Sequence, residues 1–429
     1  MAVKTLFSIY MLHRLQAIKT RFGSFGEQLA FSTIGIGTWS LILFITNIYV
    51  GRFLGPEEYG RYALVLSLAS LMMIPMVFGV NTAMIRFAAA KQGEERAAII
   101  STSIWLVILL SSGLVVVFLL LTPFADFWWR ISSDIWLWAI VFAVAMVVQL
   151  LADALYRSFH AFRTQSIWLS VGGLAVFGSL LFWFFGAQMH TFRAYVLATA
   201  VGHSILFLGA LSVFVRGGVS SLFDRTHARR LLHFGLYTML GSVIGTLLMN
   251  IDRLMLGYFV DETAVGVYMA YTVAATMIIL KLTEVFINVF FPKVSGMTDT
   301  QKYEVYLRMR RPLVYGSLGL VLLTVLSTAA TLFLFGNEYQ IDLTLLFLFS
   351  IQAPLLSAAT VLAWLIHAHG VSWLRHFTFF GIVLLGTNII CNAILIPVFG
   401  VSGAVSATIL TYTLYVTYAS YRLSNGLFS

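Results

Sequence analysis

Apolar runs of about twenty residues recur along the whole chain, separated by short polar stretches. A helix needs roughly 20 apolar residues to cross about 30 Å of hydrocarbon. Runs of that length fall at about 29–51, 61–85, 97–122, 134–157, 166–186, 194–215, 231–251, 266–291, 313–335, 342–366, 375–397 and 401–421. The pattern predicts an all-α membrane protein of about 12 transmembrane helices. The last two runs are separated only by Pro397 to Val401. The longest connections, 216–230 and 292–312, are basic and too short for a soluble domain. The spans divide the chain into an N-terminal segment 1–28, a first lobe 29–215, a basic linker 216–230 and a second lobe 231–429.

Polar residues interrupt the apolar pattern at a few places, and these carry the candidate chemistry. Lys281 and Glu284 lie three residues apart inside the eighth run, on one helical face, where they can pair. Asn288 continues the same stripe. A charge within a span costs roughly 2.5–3.5 kcal/mol on insertion scales, so it is kept where it faces a partner or a wet cavity. The pair reads either as a packing device or as part of a cargo site. Asn250, Asp252 and Arg253 close the seventh run, at an end from which long side chains snorkel to water. Asn47 closes the first run. Arg86 closes the second, as an anchor or as the rim of a basic cavity. Asp153 and Arg157, four apart, read as an interfacial salt bridge.

Two of these stretches echo each other. Gly60-x-Tyr62-Ala63, after the first run, answers Gly266-x-Tyr268-x-Ala270, after the seventh. With six spans in each half, the second half starts on the same side as the first. The two six-helix lobes are then parallel repeats about an axis along the membrane normal.

Composition agrees: 60% of the 429 residues are hydrophobic and 10% charged, with a mean hydropathy of +0.93. The net charge of +9 is explained by topology. Of the 26 basic residues, Arg52, Arg61, Arg130, Arg193 and Arg253 fall on one side and Lys281 lies within a span, leaving 20 on the other. The positive-inside rule makes that side cytoplasmic and places both termini there. These charges sit in short loops, so nucleic acid is not an expected partner. The N-terminal segment has no small-residue cleavage site after an apolar core and reads as a retained interfacial segment.

Other features read as structure. One cysteine, Cys391, supports neither a disulfide framework nor a thiolate metal site. His367 and His369 are two apart in a stretch that reads as a loop, and metal binding is not expected of them. Trp128, Trp129, Trp136 and Trp138 read as an interface belt, and Gly241-x-x-x-Gly245 as a close helix contact. No nucleophile triad, phosphate loop or zinc spacing is present, so no enzyme is expected.

Three stretches carry a resemblance: Asn47 to Ala63 (NIYVGRFLGPEEYGRYA), Asp252 to Gly257 (DRLMLG) with Gly266 to Ala270 (GVYMA), and Asn392 to Thr408 (NAILIPVFGVSGAVSAT). They resemble the polysaccharide flippases, the O-unit (Wzx-like) branch of the multidrug/oligosaccharidyl-lipid/polysaccharide exporter superfamily. The resemblance implies a MATE-like pair of lobes around a central cavity, alternating between cytoplasm-open and outside-open states in a bacterial inner membrane. It implies a cargo of undecaprenyl-pyrophosphate-linked oligosaccharide for surface polysaccharide, and membrane lipids, polymerase and glycosyltransferases as partners. No cofactor is implied; coupling to H+ or Na+ is open, with Asp252, Glu284 and Asp153 as the acids that could serve. The candidate substrate-binding set is Lys281, Glu284, Asn288, Arg86, Asn47, Asn250, Asp252 and Arg253. A cation-coupled drug exporter of the same superfamily is the alternative, and residues 29–51 lack the acid common in that branch. A membrane glycosyltransferase or polymerase fits poorly, because no large outer loop is present.

Overall fold

The computed structural model describes residues 2–216, 223–369 and 371–424, with side chains from residue 30 onward except 128–129, 288–289, 292–293 and 371–375. Eleven α-helices make up the described residues: α1 (Ala2–Val77), α2 (Val80–Ala88), α3 (Gly93–Trp129), α4 (Ser133–Ser158), α5 (Phe162–Leu181), α6 (Phe192–Arg216), α7 (Arg225–Phe259), α8 (Glu262–Ser295), α9 (Asp299–Phe335), α10 (Leu343–Ala368) and α11 (Val371–Ser424). A single π-turn, Phe182–Gly186, extends α5. No strand occurs among these residues. Loop residues start the helices. Asp261 accepts the Ala264 N–H at 2.7 Å, Asp342 accepts those of Thr344 and Leu345, and Thr298 with Gln301 forms a reciprocal capping box on α9.

Ten of these helical segments are long and apolar enough to cross a membrane. Two of the ten, Ala30–Val77 with 48 residues and His376–Ser424 with 49, are twice the needed length. Each folds back on itself. In α1, Gly55 takes a left-handed φ of 73°, and the Tyr59 hydroxyl donates to Asn47 Oδ1 at 3.0 Å. In a straight helix, residues 12 apart stand about 18 Å apart. In α11 the turn is at Gly400 (φ 55°, ψ −127°), and Asn388 Nδ2 donates to Thr411 Oγ1 at 3.3 Å across it. Counting each hairpin as two crossings gives the 12 expected spans. The second span is interrupted near its end, where Phe78 and Gly79 both have positive φ. α2 carries it on to Arg86. The N-terminal segment 1–28 is helical from Ala2, and its side chains lie outside the described residues.

The chain forms two compact units, and each draws on both halves of the sequence: Met1–Thr46, Met72–Thr122 and Leu137–Leu240 make the first, Asn47–Leu71, Pro123–Trp136 and Gly241–Ser429 the second. In the first unit α5 and α6 cross so closely that a Cβ on Gly202 would lie 2.8 Å from the Gly172 carbonyl oxygen. Trp39, His203 and Phe142 stack beside that crossing, and the Tyr156 hydroxyl donates to the Leu206 carbonyl at 3.2 Å.

In the second unit the two echoing glycines meet. A Cβ on Gly60 would sit 1.7 Å from the Glu262 carbonyl oxygen, and a Cβ on Gly266 would sit 1.8 Å from that of Pro56. Each glycine thus lies on the carbonyl four residues before the other, a locally two-fold arrangement of the two copies of the motif. Further along α8, buried Val294 joins Tyr306 of α9, Leu362, Leu365 and Ile366 of α10, and Phe377 and Leu423 of α11 in one apolar cluster.

Three structural expectations change. Trp136 is buried in the protein and does not serve an interface belt, while the Trp128 and Trp129 side chains lie outside the described residues. Among the described residues nothing lies within 4 Å of a Cβ placed on Gly241 or Gly245, so that motif makes no close helix contact with them. His367 and Ala368 belong to the last turn of α10 rather than to a loop, and His369 follows it as the C-cap.

Candidate functional site

The second unit holds a buried carboxylate. Asp252, near the end of α7, is 4% exposed. One of its oxygens accepts from Asn392 Nδ2 at 2.7 Å; the other accepts from the Tyr268 hydroxyl at 2.8 Å and from Thr408 Oγ1 at 2.6 Å. α8 supplies the tyrosine, and the two arms of the α11 hairpin supply the amide and the hydroxyl. Helical spacing brings in a further ring of buried polar groups. Asn388, four residues before Asn392, accepts from Asn392 Nδ2 at 3.1 Å and donates to Thr411, three residues after Thr408. Asn392 Oδ1 is buried without a hydrogen-bond partner.

The expectation that the Asp252-Arg253 pair snorkels to water is therefore corrected for Asp252. Its short side chain is sealed between α7, α8 and α11, beyond the reach of the helix end. Among the described residues no cation pairs with it. Arg253 instead donates to Asn250 Oδ1 at 3.3 Å, and its own Nε is buried without a partner. Asn250 in turn donates to the Thr246 carbonyl at 2.9 Å. An unpaired buried carboxylate is costly, and three neutral donors offset only part of that cost. The unpartnered Asn392 amide oxygen lies beside the carboxylate as one more acceptor.

Lys281 and Glu284 lie further along α8. Lys281 Nζ and Glu284 Oε2 pair at 2.8 Å on α8, as their spacing predicts. Lys281 is 13 residues beyond Tyr268, about 20 Å along the axis at 1.5 Å per residue. The pair lies on the open face of α8, with side chains 43% and 44% exposed. The opposite face carries Ile279, Thr283 and Ile287, all buried, with Thr283 Oγ1 at 2.6 Å from Ser357 Oγ of α10. Leu282, Val285 and Phe286 flank the pair and are exposed too. The Asn288 side chain lies outside the described residues. Asn47 holds Tyr59 across the α1 turn. Arg86, in the first unit, stacks its guanidinium 4.6 Å over the Phe234 ring. Asp153 pairs with Arg157 at 2.9 Å, as expected, and accepts from Gln165.

Residue reading alone missed Tyr268, Asn392 and Thr408. A signal for them existed, because each lies in one of the stretches that carry the family resemblance, and the buried network joins all three.

Comparison with known proteins agrees with this picture. Residues 26–298, well over half of the chain, match the family described as polysaccharide biosynthesis protein. The chain is 28% identical over 237 residues to the probable flippase AglR of Haloferax volcanii, a match spanning 50% of this chain and 48% of that protein. Among solved structures, it shares its fold with an inward-facing multidrug resistance MATE family transporter of the MOP superfamily (TM-score 0.62, 15% identity, 92% of this chain and 98% of that one). It also shares it with the lipid II flippase MurJ in an inward closed conformation (TM-score 0.53, 13% identity, 89% and 87%). A half-length sequence match and full-length fold matches point the same way: this is a multi-pass membrane protein with the MOP-superfamily transporter fold, and it belongs to the polysaccharide biosynthesis protein family.

Proposed function

We propose that the protein is a flippase that moves a lipid-linked oligosaccharide carrying a pyrophosphate, of the undecaprenyl type, from the cytoplasmic to the outer leaflet by alternating access. The observation that carries this reading is the Lys281–Glu284 pair: two charged side chains, each more than two-fifths exposed, within an apolar span. Exposed charges at that depth need water beside them, which requires a wet chamber rather than lipid. A lysine there offers a mobile cation to a phosphate without imposing fixed geometry. The anionic head displaces Glu284 from Lys281, and the polyprenyl tail stays in the bilayer.

Energy for the step has two sources in this account. A membrane potential negative inside favours outward movement of an anion by about 2.3 kcal/mol per charge per 100 mV across the full field. Asp252 supplies the second, exchanging H+ or Na+ as its buried network opens and closes. The carboxylate with its three neutral donors and the unpartnered Asn392 oxygen support that role. Members of the drug-exporter branch commonly carry an acid in the first span, and residues 29–51 have none.

The test is an accumulation assay. Cells lacking the protein should build up the lipid-linked oligosaccharide on the cytoplasmic leaflet, and the wild-type chain should clear it. If the intermediate is distributed normally without the protein, the flippase reading is wrong and drug efflux becomes the reading to pursue.

A further inference from the structure

Within the first unit, α2 and the start of α7 run antiparallel and cross on a pair of glycines. Gly79 has a left-handed φ of 68°, and a Cβ on it would lie 2.3 Å from the Gly235 carbonyl oxygen; a Cβ on Gly235 would lie 2.4 Å from that of Phe78. With the backbones this close, the ends beyond the crossing are forced together. Arg86 lies 4.6 Å over the Phe234 ring, Arg230 lies 4.2 Å over the Phe87 ring, and the two rings meet edge-on at 5.6 Å. Phe87, Thr226, Arg229, Arg230, His233 and Phe234 line a cavity of about 520 Å³ there.

The cluster is uncompensated. Among the described residues none of Arg86, Arg229 and Arg230 has a carboxylate partner. The closest acid in sequence, Asp224, is engaged as the cap of α7, accepting the N–H groups of Thr226 at 2.7 Å and His227 at 3.1 Å. The positive-inside rule asks only that such charges lie on one side of the membrane. It does not ask that two arginines line one cavity with a third packed on a ring of its wall, or that Arg86 and Arg230 stack on a phenylalanine pair. Stacking fixes each guanidinium plane and leaves its edge N–H groups available to an acceptor, the geometry that suits phosphate oxygens.

We propose that this cavity is a binding site for a phosphate or pyrophosphate ester at the membrane surface, with Arg229 and Arg230 as its ligands and Arg86 held beside them on the Phe234 ring. It belongs to the first unit, and Lys281 to the second. Two molecules carry that chemistry in the bilayer, the head of a lipid-linked sugar and an acidic phospholipid. Only the first depends on the flippase reading; in that case the site collects cargo before it reaches Lys281.

The experiment uses the full chain carrying Lys281→Ala, in nanodiscs of phosphatidylcholine, titrated with inorganic pyrophosphate by calorimetry. Removing Lys281 ensures that the binding measured is not at that residue, so failure here leaves the flippase reading to its own transport test. Saturable binding is expected, weakened by added salt and by about tenfold for each guanidinium lost in Arg229→Gln and in the Arg229→Gln/Arg230→Gln double variant. Arg230→Lys should keep part of the affinity. Repeating the titration in nanodiscs containing phosphatidylglycerol separates the sources: competition assigns the site to acidic phospholipid, and undiminished binding assigns it to the cargo head. Absence of saturable binding, or unchanged affinity in Arg229→Gln, overturns the proposal.

Discussion

Asp252 accepts three hydrogen bonds in the interior of the second unit, and substitutions around it separate structure from coupling. Thr408→Val keeps the shape and removes one charge-assisted hydrogen bond, at a cost of about 1.5–3 kcal/mol. Asp252→Asn keeps the volume but turns an amide NH₂ toward neighbours that are themselves donors, Asn392 Nδ2, Tyr268 and Thr408. The expected outcome is a lowered melting temperature for both variants. In addition, Asp252→Asn should lose any dependence of transport on external H+ or Na+, whereas Thr408→Val should retain it. If Asp252→Asn transports with the wild-type ion dependence, Asp252 has no role in coupling. Such a residue is only half legible in sequence. An acid near the end of an apolar run looks exposed, because nothing in α7 itself shows that α8 and both arms of α11 close over it. The paired charges at 281 and 284 were legible in full, since a three-residue spacing within one helix fixes their contact.

Helices were the most legible level, because twenty apolar residues in a row leave the backbone few alternatives in a membrane. Their turns were legible where glycine and proline cluster, as at Gly51–Gly60 and Pro397–Val401. Helix contacts were not. Gly241-x-x-x-Gly245 matched a packing pattern and packs against nothing within reach of a Cβ, whereas Gly60 and Gly266, each flagged only as a repeat signature, lie backbone to backbone. Which face of a helix meets another is decided by tertiary context that a spacing rule does not see. The consequence is testable on the element itself. Gly60→Ala or Gly266→Ala places a methyl inside a carbonyl oxygen, so the helices must part, at a cost of about 1–3 kcal/mol as for other overpacked contacts. Gly241→Ala should change stability by less than about 0.5 kcal/mol. Thermal unfolding in detergent of the three variants reads this directly; equal melting temperatures would show that the contact at Gly60 and Gly266 is not held in the folded protein.

At the scale of the whole molecule, charge distribution and the repeat make the remaining claims. A reporter inserted in the turn at Gly296–Thr298 should read cytoplasmic and one between Gly336 and Asp342 external, because basic residues crowd the first and not the second; the reverse result would invert the topology. The flippase reading itself turns on Lys281. The decisive measurement is translocation of a pyrophosphate-linked oligosaccharide lipid in vesicles holding the purified protein, read as the fraction protected from an added glycosidase. Lys281→Ala should abolish translocation while inserting normally, Lys281→Arg should retain part of it, and Lys281→Ala/Glu284→Ala should stay inactive. Wild-type translocation by Lys281→Ala, or full recovery in the double variant, would show that the pair serves packing alone and that the cargo is held elsewhere.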